Sequence, residues 1–340
     1  MGLVINGTWY AQLDPGQQTK NQETFHHWIT RDGSSGFKAE PNRYHLYISL
    51  ACPWACRTLI FRKLKGLEDI ISLSIVDPVM GENGWAFSSD AGCIPDHING
   101  CIYLHEIYTK AKPNFTGRVS VPVLWDKQNK TIVSNESSEI IRMFNSAFDD
   151  LIDPCPDFYP ENLQPQIEAI NKEVFAGINI GVYKCGFATS QQDYDIAFDQ
   201  LFLELHKVEC LLSTQRYLVG DTITEADWRL FSTLIRFDSV YHTHFKCNLR
   251  QIKDYPHLGN YLRELYQHAG IAETVNFDHI KRHYYLSHRH LNPSGIIPKG
   301  PEMNLTAPHD REKFVFQDGG EVFLLERLKP LKKRTSGKSL

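Results

Sequence analysis

A cysteine followed by a proline stands where a predicted strand ends and a predicted helix begins, in residues 47–61, YISLACPWACRTLIF. At a helix N-terminus the unpaired backbone N–H groups and the positive end of the helix dipole favour an anion. A thiolate in that position can have its pKa lowered by about one to several units from roughly 8.5. Pro53 suits the first helical turn, because the N–H it lacks would be unpaired there. The context favours a nucleophilic thiolate at Cys52 over a small buried residue at a tight junction.

Cys56 follows Cys52 at the spacing C-x-x-x-C rather than C-x-x-C, the spacing of redox dithiols. Four residues apart, the two side chains share one helix face, with Cys56 a turn deeper. We therefore expect a packed core thiol rather than a resolving one. With one reactive thiol, the chemistry needs an external thiol as partner.

Two further segments could bind a ligand beside Cys52. In SVPVLWD, Pro122 follows a valine at a strand start, where thioredoxin-like folds carry a cis peptide bond that leaves the preceding backbone free to pair with a peptide. An ordinary edge-strand proline is the alternative. In NESSEI, Glu136, Ser137 and Ser138 open a helix, which could bind a ligand carboxylate while Glu136 receives an ammonium group. The same residues also form a plain capping motif.

The histidines of DHIKRHYYLSHRH raise the question of a metal, since His279 and His283 are four residues apart. No glutamate lies between them as in a metalloprotease, and no carboxylate or cysteine falls at a recognised ligand spacing. We expect a histidine-rich solvated helix and no metal. We find neither G-x-G-x-x-G nor a P-loop, so no nucleotide is expected.

The composition of the chain argues against several classes of protein. The chain has 340 residues and a formal net charge of −4, whereas a nucleic-acid binder would be basic. The opening lacks the pattern of a signal peptide, and no apolar run is long enough to cross a bilayer. The eight cysteines are scattered through a long chain, unlike the framework of a small secreted domain. We expect a soluble, cytoplasmic protein with neither nucleic acid nor membrane as partner.

The order of predicted elements divides the chain. Strand, helix, strand, helix, strand, strand, helix over 43–148 is typical of a thioredoxin-like α/β domain. Residues 1–42 are predicted to be a largely irregular arm, tied down by Trp9, Tyr10, Phe25 and Trp28. Residues 101–112 are predicted to pass from a short strand into a helix. A proline-rich linker covers 149–162.

The second half has helical periodicity throughout 163–292, so the fold class is α/β plus all-α. Thr224 and Asp227 have the spacing of a capping box before an apolar run. Residues 293–340 are predicted to be an extended tail with a disordered end.

Six stretches closely resemble the glutathionyl-hydroquinone reductases, the xi class of glutathione transferases. They are SLACPWACRTLI, GENGWAF, GRVSVPVLWDKQNKTIVSNESSEIIRMFN, INIGVYKCGFAT, YLVGDTITEADWRLFSTLIRFDSVY and VNFDHIKRHYYLSHRHLNPSGIIPKGP. The resemblance covers about residues 1–315, and its long ordered motifs make it specific. It implies an N-terminal thioredoxin-like domain, a C-terminal helical glutathione-transferase domain and a homodimer.

The resemblance also implies roles for individual residues. Cys52 would be the nucleophile, and Tyr183 and Tyr284 would face the aromatic substrate, with Tyr285 as the alternative to Tyr284. Glutathione would be held by Trp85, Arg118, the backbone of Val121, Glu136 and Ser137. The family commonly has histidine where this chain has Cys56, which leaves open whether Cys52 and Cys56 can pair.

The implied activity is reductive removal of glutathione from glutathionyl-hydroquinones. Cys52 would take the glutathione as a mixed disulfide, and a second glutathione would release it as glutathione disulfide. An omega-type thiol transferase or dehydroascorbate reductase is the nearest alternative. A non-catalytic binding protein with a glutathione-transferase fold is the second alternative.

Overall fold

The structure, a computed structural model, describes residues 2–12 and 22–314. The N-terminal arm contains four short strands, β1 (Leu3–Ile5), β2 (Thr8–Tyr10), β3 (Ile29–Thr30) and β4 (Phe37–Lys38). The rest of the described arm is irregular, so the prediction of a largely irregular arm agrees with the structure apart from these strands. Asn6 and Gly7 both have positive φ, 46° and 79°, as a two-residue hairpin turn between β1 and β2 requires.

The aromatic residues of the arm do not all anchor it. Trp9 stacks on His105 with ring centroids 5.0 Å apart, and Phe25 is buried, as predicted. Trp28 is 39% exposed, and the neighbouring Ile29 is the buried residue instead. The hydrophobic contact predicted for Trp28 is thus made one residue later in the chain.

A four-stranded mixed sheet forms the core of the first domain. Its elements are β5 (Tyr44–Ile48), α1 (Pro53–Leu64), β6 (Ile71–Ile75), α2 (Leu104–Ala111), β7 (Gly117–Arg118, which pairs with β1), β8 (Val123–Asp126), β9 (Thr131–Ser134) and α3 (Ser137–Ser146). The strand order is β6-β5-β8-β9, with β5 parallel to β6 and antiparallel to β8. This is the predicted thioredoxin-like arrangement.

The segment between β6 and α2 is a long connection. Residues 77–100 form turns and isolated bridges. The short strand predicted before α2 is wrong, because only an isolated bridge between Ala86 and Tyr103 occurs there.

The second domain is helical, as predicted. Its helices are α4 (Gln164–Val174), α5 (Gly181–Gly186), α6 (Gln191–Leu212), α7 (Glu225–Arg236), α8 (His242–His244), α9 (Pro256–Gln267) and α10 (Phe277–Ser287). Single π-helical turns, Phe175–Asn179 and Phe237–Tyr241, follow α4 and α7. None of the helices in the described ranges is long and apolar enough to cross a bilayer.

The two domains meet where α1 packs on α7. Arg57 of α1 is fully buried there, and its guanidinium donates to the side chain of Asn179 at 3.1 Å and to the carbonyl of Arg229 at 3.3 Å. Because a buried charge needs such partners, these bonds fix the orientation of α1 against the helical domain.

Hydrogen bonds made by several residues hold the tail on the helical domain, and one of these residues is buried. Arg311 donates to the Leu212 and Gln215 carbonyls at the end of α6, both at 2.7 Å. Residues 293–314 are otherwise largely irregular, in agreement with an extended tail. The end predicted to be disordered lies outside the described residues.

The predicted capping box of α7 is confirmed. Asp227 accepts from the Thr224 N–H at 2.8 Å and from the Thr224 hydroxyl at 3.1 Å, and both residues are buried. This cap starts the helix that makes the interface with α1.

We predict that Thr224→Ala lowers the free energy of unfolding by about 0.5–2 kcal/mol, because it removes the side-chain half of a buried cap. Urea denaturation followed by circular dichroism measures the change. Thr222→Ala, at an exposed position two residues earlier, is the matched control and should differ from wild type by less than about 0.5 kcal/mol. Equal effects of the two substitutions would contradict the importance of the cap.

Candidate active site

The turn between β5 and α1 sets the position of the predicted nucleophile. Cys52 is the N-cap of α1 in extended backbone, φ −76° and ψ 125°, and Pro53 opens the first turn. The Cys52 carbonyl accepts the Cys56 N–H at 3.0 Å. The predicted strand–Cys-Pro–helix junction is confirmed.

A buried arginine from the other domain holds this turn. Arg236, the last residue of α7, is 1% exposed. Its guanidinium donates to the backbone carbonyls of Leu50 at 3.0 Å, Ala51 at 2.8 Å and Cys52 at 3.5 Å, and to that of Ser232 at 2.8 Å. Hydrogen bonds from a charged donor are roughly twice as strong as neutral ones. The turn that carries the thiol is therefore fixed by the helical domain.

The Cys52 side chain is partly exposed, and its thiol donates to the Val121 carbonyl with 3.6 Å between Sγ and oxygen. Burial raises the pKa of this thiol. The amides of Trp54 and Ala55 and the charge of Arg236 act to lower it, but they do not prevail. The expectation of a lowered pKa is thus wrong for the free protein. The helix amides lie where predicted, and desolvation of the sulfur outweighs them.

Cys56 lies one turn below Cys52 and is 2% exposed. Both thiols are free. Cys56 packs in the hydrophobic core, which agrees with the prediction of a core thiol.

Three tyrosine hydroxyls meet near Cys52. The Tyr284 oxygen of α10 lies 2.6 Å from that of Tyr183 in α5 and 3.0 Å from that of Tyr241. Burial raises the pKa of all three phenols, that of Tyr241 to about 12. A negative charge on Cys52 would raise the pKa of Tyr183 and Tyr241 further, so the sulfur is within electrostatic reach of these hydroxyls. The three phenols stay protonated at neutral pH and can donate hydrogen bonds.

Tyr285 points elsewhere. Its hydroxyl lies 3.4 Å from the Ser239 carbonyl, and its ring packs on His244 with centroids 4.7 Å apart. Of the two adjacent tyrosines, Tyr284 is the one that meets Tyr183.

Of the two segments predicted to bind a peptide-like ligand, the one that carries Val121 contacts the thiol. The Val121–Pro122 bond is cis, and the Val121 carbonyl faces the Cys52 sulfur. Glu136 is the exposed N-cap of α3 and accepts the Ser138 N–H at 3.3 Å, while Ser137 is buried in the first turn. Glu136 therefore acts as a cap in the free protein, and its exposed carboxylate is accessible to a ligand.

Trp85 and Arg118, the other two predicted glutathione contacts, differ in exposure, since Trp85 is buried and Arg118 is exposed. The Trp85 ring is 6% exposed and stacks on His283 with centroids 4.8 Å apart. Arg118 is exposed at the end of β7, three residues before Val121, and makes no ion pair with any residue of 2–12 or 22–314. Its charge is available for an anion.

The histidines of α10 are not a solvated face. His279 is buried and bonds the Ala91 carbonyl at 2.8 Å, and His283 is buried and bonds the Pro78 carbonyl at 2.8 Å. The prediction of a solvated helix is wrong because the 77–100 connection covers this face. Within the described ranges, no group of three or more His, Cys, Asp or Glu side chains could hold a metal ion.

Arg236 and Tyr241 were not singled out by the sequence. Both lie in TLIRFDSVY, which has the apolar periodicity of a core helix. The π-helical turn after Arg236 changes the face on which the following residues point, and nothing in the sequence pattern indicates it.

Comparison with known proteins agrees with this geometry. Residues 51–147 match the glutathione S-transferase N-terminal domain, and residues 191–264 match the glutathione S-transferase C-terminal domain. The chain is 51% identical over 324 residues to glutathionyl-hydroquinone reductase YqjG of Escherichia coli (strain K12), covering 92% of this chain and 99% of that protein. The chain belongs to the glutathionyl-hydroquinone reductase family. It is also 50% identical over 310 residues to glutathionyl-hydroquinone reductase PcpF of Sphingobium chlorophenolicum, covering 90% of this chain and 98% of that protein.

Solved structures show the same fold. A xi-class glutathione transferase from Natrialba magadii superposes with a TM-score of 0.88 at 48% identity, over 92% of this chain and 97% of that one. The glutathione-bound structure of YqjG from Escherichia coli K-12 gives a TM-score of 0.86 at 52% identity, over 92% and 99%. The predicted fold class is therefore confirmed for this reductase-family chain.

We predict that alkylation of Cys52 in the free protein is slow at pH 7 and accelerates with pH, with a midpoint above that of an ordinary cysteine thiol. Burial raises the pKa, so the reactive thiolate forms only as the pH rises through that higher value. Iodoacetamide labelling from pH 6 to 10, read by mass spectrometry of the Cys52 peptide, measures the midpoint. A midpoint below about 8 would contradict the dominance of burial and support the lowered pKa expected from the sequence.

Proposed function

We propose that the protein removes glutathione from glutathionyl-hydroquinones, giving the hydroquinone and glutathione disulfide. The observation that carries the proposal is that Cys52, at the start of α1, lies within electrostatic reach of the hydroxyls of Tyr183 and Tyr241, which both contact the Tyr284 hydroxyl. Cys52 supplies a sulfur nucleophile, and the tyrosine hydroxyls supply proton donors among aromatic rings. The family of the chain supports glutathione as the molecule bound.

Glutathione carries two carboxylates and one ammonium group on a peptide-like backbone, and the surroundings of Cys52 offer a partner for each. The Val121 carbonyl can pair with the ligand backbone, since it already faces the sulfur. Exposed Arg118 and the start of α3 suit carboxylates, and exposed Glu136 suits the ammonium. The proposed glutathione site consists of Trp85, Arg118, Val121, Glu136 and Ser137.

In the first step the Cys52 thiolate attacks the glutathione sulfur of the substrate. A sulfur–sulfur bond forms, and the bond between sulfur and the ring carbon breaks. The electron pair of that bond goes to the ring carbon, which takes up a proton. The proton lost by the Cys52 thiol balances the one gained by the ring. Because the free thiol is protonated, its ionisation belongs to the reaction rather than to the resting protein.

Carbon is a poor leaving group, so protonation of the ring must accompany bond breaking. The raised pKa values of Tyr183 and Tyr284 keep their hydroxyls protonated, and the 2.6 Å contact between them aligns one as donor to the other. A positioned general acid typically contributes about 10²- to 10⁴-fold. We assign this role to the pair.

In the second step the thiolate of another glutathione attacks the mixed disulfide on Cys52. The two glutathione sulfurs leave together as glutathione disulfide, and the Cys52 thiolate is released and reprotonated. Each cycle uses the glutathione of the substrate and one free glutathione, and it leaves the protein unchanged.

A thiol-transferase activity on general glutathione mixed disulfides is the second candidate. It is favoured by 46% identity over 277 residues to glutathione S-transferase omega-like 2 of Schizosaccharomyces pombe, covering 79% of this chain and 88% of that protein. It uses the same Cys52 step without ring protonation. The homodimer implied by the family resemblance and the cytoplasmic location expected from the composition remain predictions.

We predict that Cys52→Ala abolishes reduction of glutathionyl-hydroquinones, because no other group supplies the attacking sulfur. Cys52→Ser is expected to gain some glutathione-conjugating activity, since a hydroxyl can stabilise a bound glutathione thiolate without capturing it. Hydroquinone release measured by chromatography gives both rates. Cys210→Ala, at an exposed thiol, is the matched control and should keep wild-type turnover. Substantial turnover by Cys52→Ala would remove Cys52 as nucleophile.

We predict that Tyr183→Phe and Tyr284→Phe each lower kcat by about tenfold or more, up to about 10²-fold, with less than about twofold change in glutathione affinity. The reason is loss of the proton donor while ring packing is kept. Tyr285→Phe is the matched control, because its hydroxyl lies against Ser239 instead. Steady-state kinetics and calorimetric glutathione titration give the two quantities. Parallel losses of kcat and glutathione affinity would indicate a structural role for the tyrosines.

The same tyrosine variants separate the two candidate functions. If ring protonation is their role, they should leave the rate on a simple glutathione mixed disulfide within about twofold of wild type. Equal rates of the wild-type protein on both substrate classes, with equal effects of the variants, would favour the thiol transferase.

A further inference from the structure

The helix that carries Tyr284 also holds the connection that carries Trp85. Residues 77–100 have no helix or strand of their own among the described residues, so their position depends on contacts from outside. The contacts from α10 are bonds of His279 to Ala91, of His283 to Pro78 and of Met80 N–H to Ser287, and an ion pair of Arg282 with Asp90.

His283 is central among these residues because it touches both functional side chains. Its ring stacks on Trp85, with centroids 4.8 Å apart and planes 21° apart. The same ring meets Tyr284 edge-on, with centroids 5.3 Å apart and planes at 77°. The imidazole of His283 therefore packs against both the Trp85 ring and the Tyr284 ring.

The protonation state of His283 follows from its surroundings. Nδ1 lies 2.8 Å from the Pro78 carbonyl, which can only accept, so Nδ1 carries the hydrogen. Burial lowers the pKa of His283 to about 4, so the ring is neutral near pH 7. A neutral ring suits a stack between aromatic groups, and its single N–H anchors the ring to the connection.

We propose that His283 is a positioning residue for both halves of the site. One imidazole fixes the Trp85 ring on the glutathione side and the Tyr284 ring on the aromatic-substrate side. The inference rests on the proposed function, which assigns these two ligand contacts. It adds that the two halves are coupled through a side chain that touches neither ligand.

Two substitutions separate the ring from the hydrogen bond. His283→Phe keeps an aromatic ring for Trp85 and Tyr284 but cannot donate to Pro78. His283→Gln keeps an N–H donor but lacks the ring. Arg282→Ala is the control, since it removes an exposed ion pair to the same connection without touching Trp85 or Tyr284.

The experiment measures the glutathione Kd by calorimetry, kcat on a glutathionyl-hydroquinone, and the melting temperature by circular dichroism. For His283→Gln we expect glutathione Kd to rise and kcat to fall, each by about 3- to 10-fold, as loss of an aromatic contact implies. His283→Phe is expected to stay within about threefold of wild type in both, and Arg282→Ala within about twofold.

Two results would overturn the inference: wild-type Kd and kcat in His283→Gln, or equal losses in the Phe and Gln variants. If His283→Gln cannot be purified, the Phe variant decides alone, because retained affinity supports the ring's role and lost affinity contradicts it. If the wild-type protein binds glutathione but does not turn over, the proposed function fails. The comparison of Kd values still decides the role of His283 in that case.

Discussion

The site depends on one buried cation. Arg236 ends α7 and donates to three successive carbonyls, those of Leu50, Ala51 and Cys52. A cation is favourable at a helix C-terminus, and here it also meets the carbonyls of a turn in the other domain. Removing the guanidinium would take this donor from the Leu50 and Ala51 carbonyls, at a cost of about 1–3 kcal/mol for each buried acceptor left unpaired. The position of the nucleophile is thus a property of the domain interface and not of α1 alone.

Two opposing effects act on the Cys52 sulfur. The amides at the start of α1 and the Arg236 charge stabilise a thiolate, whereas burial destabilises it more. The resting thiol is neutral and donates to the Val121 carbonyl. The resting sulfur is therefore in the thiol form, which is a weaker nucleophile than the thiolate. In the proposed reaction, ionisation of Cys52 accompanies binding of a substrate whose ring carbon can take up the proton.

Local sequence patterns correctly predicted the structural features that interactions between nearby residues determine. The β5–Cys52–α1 junction, the hairpin of β8 and β9, the Val121–Pro122 cis bond and the Thr224 cap all rest on residues close in sequence. The arm hairpin was missed although Asn6–Gly7 carried its turn signal. These features needed no knowledge of the tertiary fold.

What the sequence could not supply depends on distant contacts. The sign of the Cys52 pKa shift follows from burial under residues of both domains, which no motif states. His279 and His283 had a spacing typical of a solvated face, yet their partners lie about 190–205 residues earlier in the chain. Tyr241 reaches the hydroxyl cluster because a π-helical turn precedes it. The family resemblance identified Tyr183 and Tyr284, and the structure shows that their hydroxyls meet.

The proposed function requires that Cys52 accept glutathione directly from the aromatic ring of the substrate. Mixing the protein with one equivalent of a glutathionyl-hydroquinone and no free glutathione, then quenching with acid, tests it by mass spectrometry of the Cys52 peptide. We expect one glutathione on Cys52 for each hydroquinone released. Release of hydroquinone with Cys52 unmodified, or no release until free glutathione is added, would contradict it.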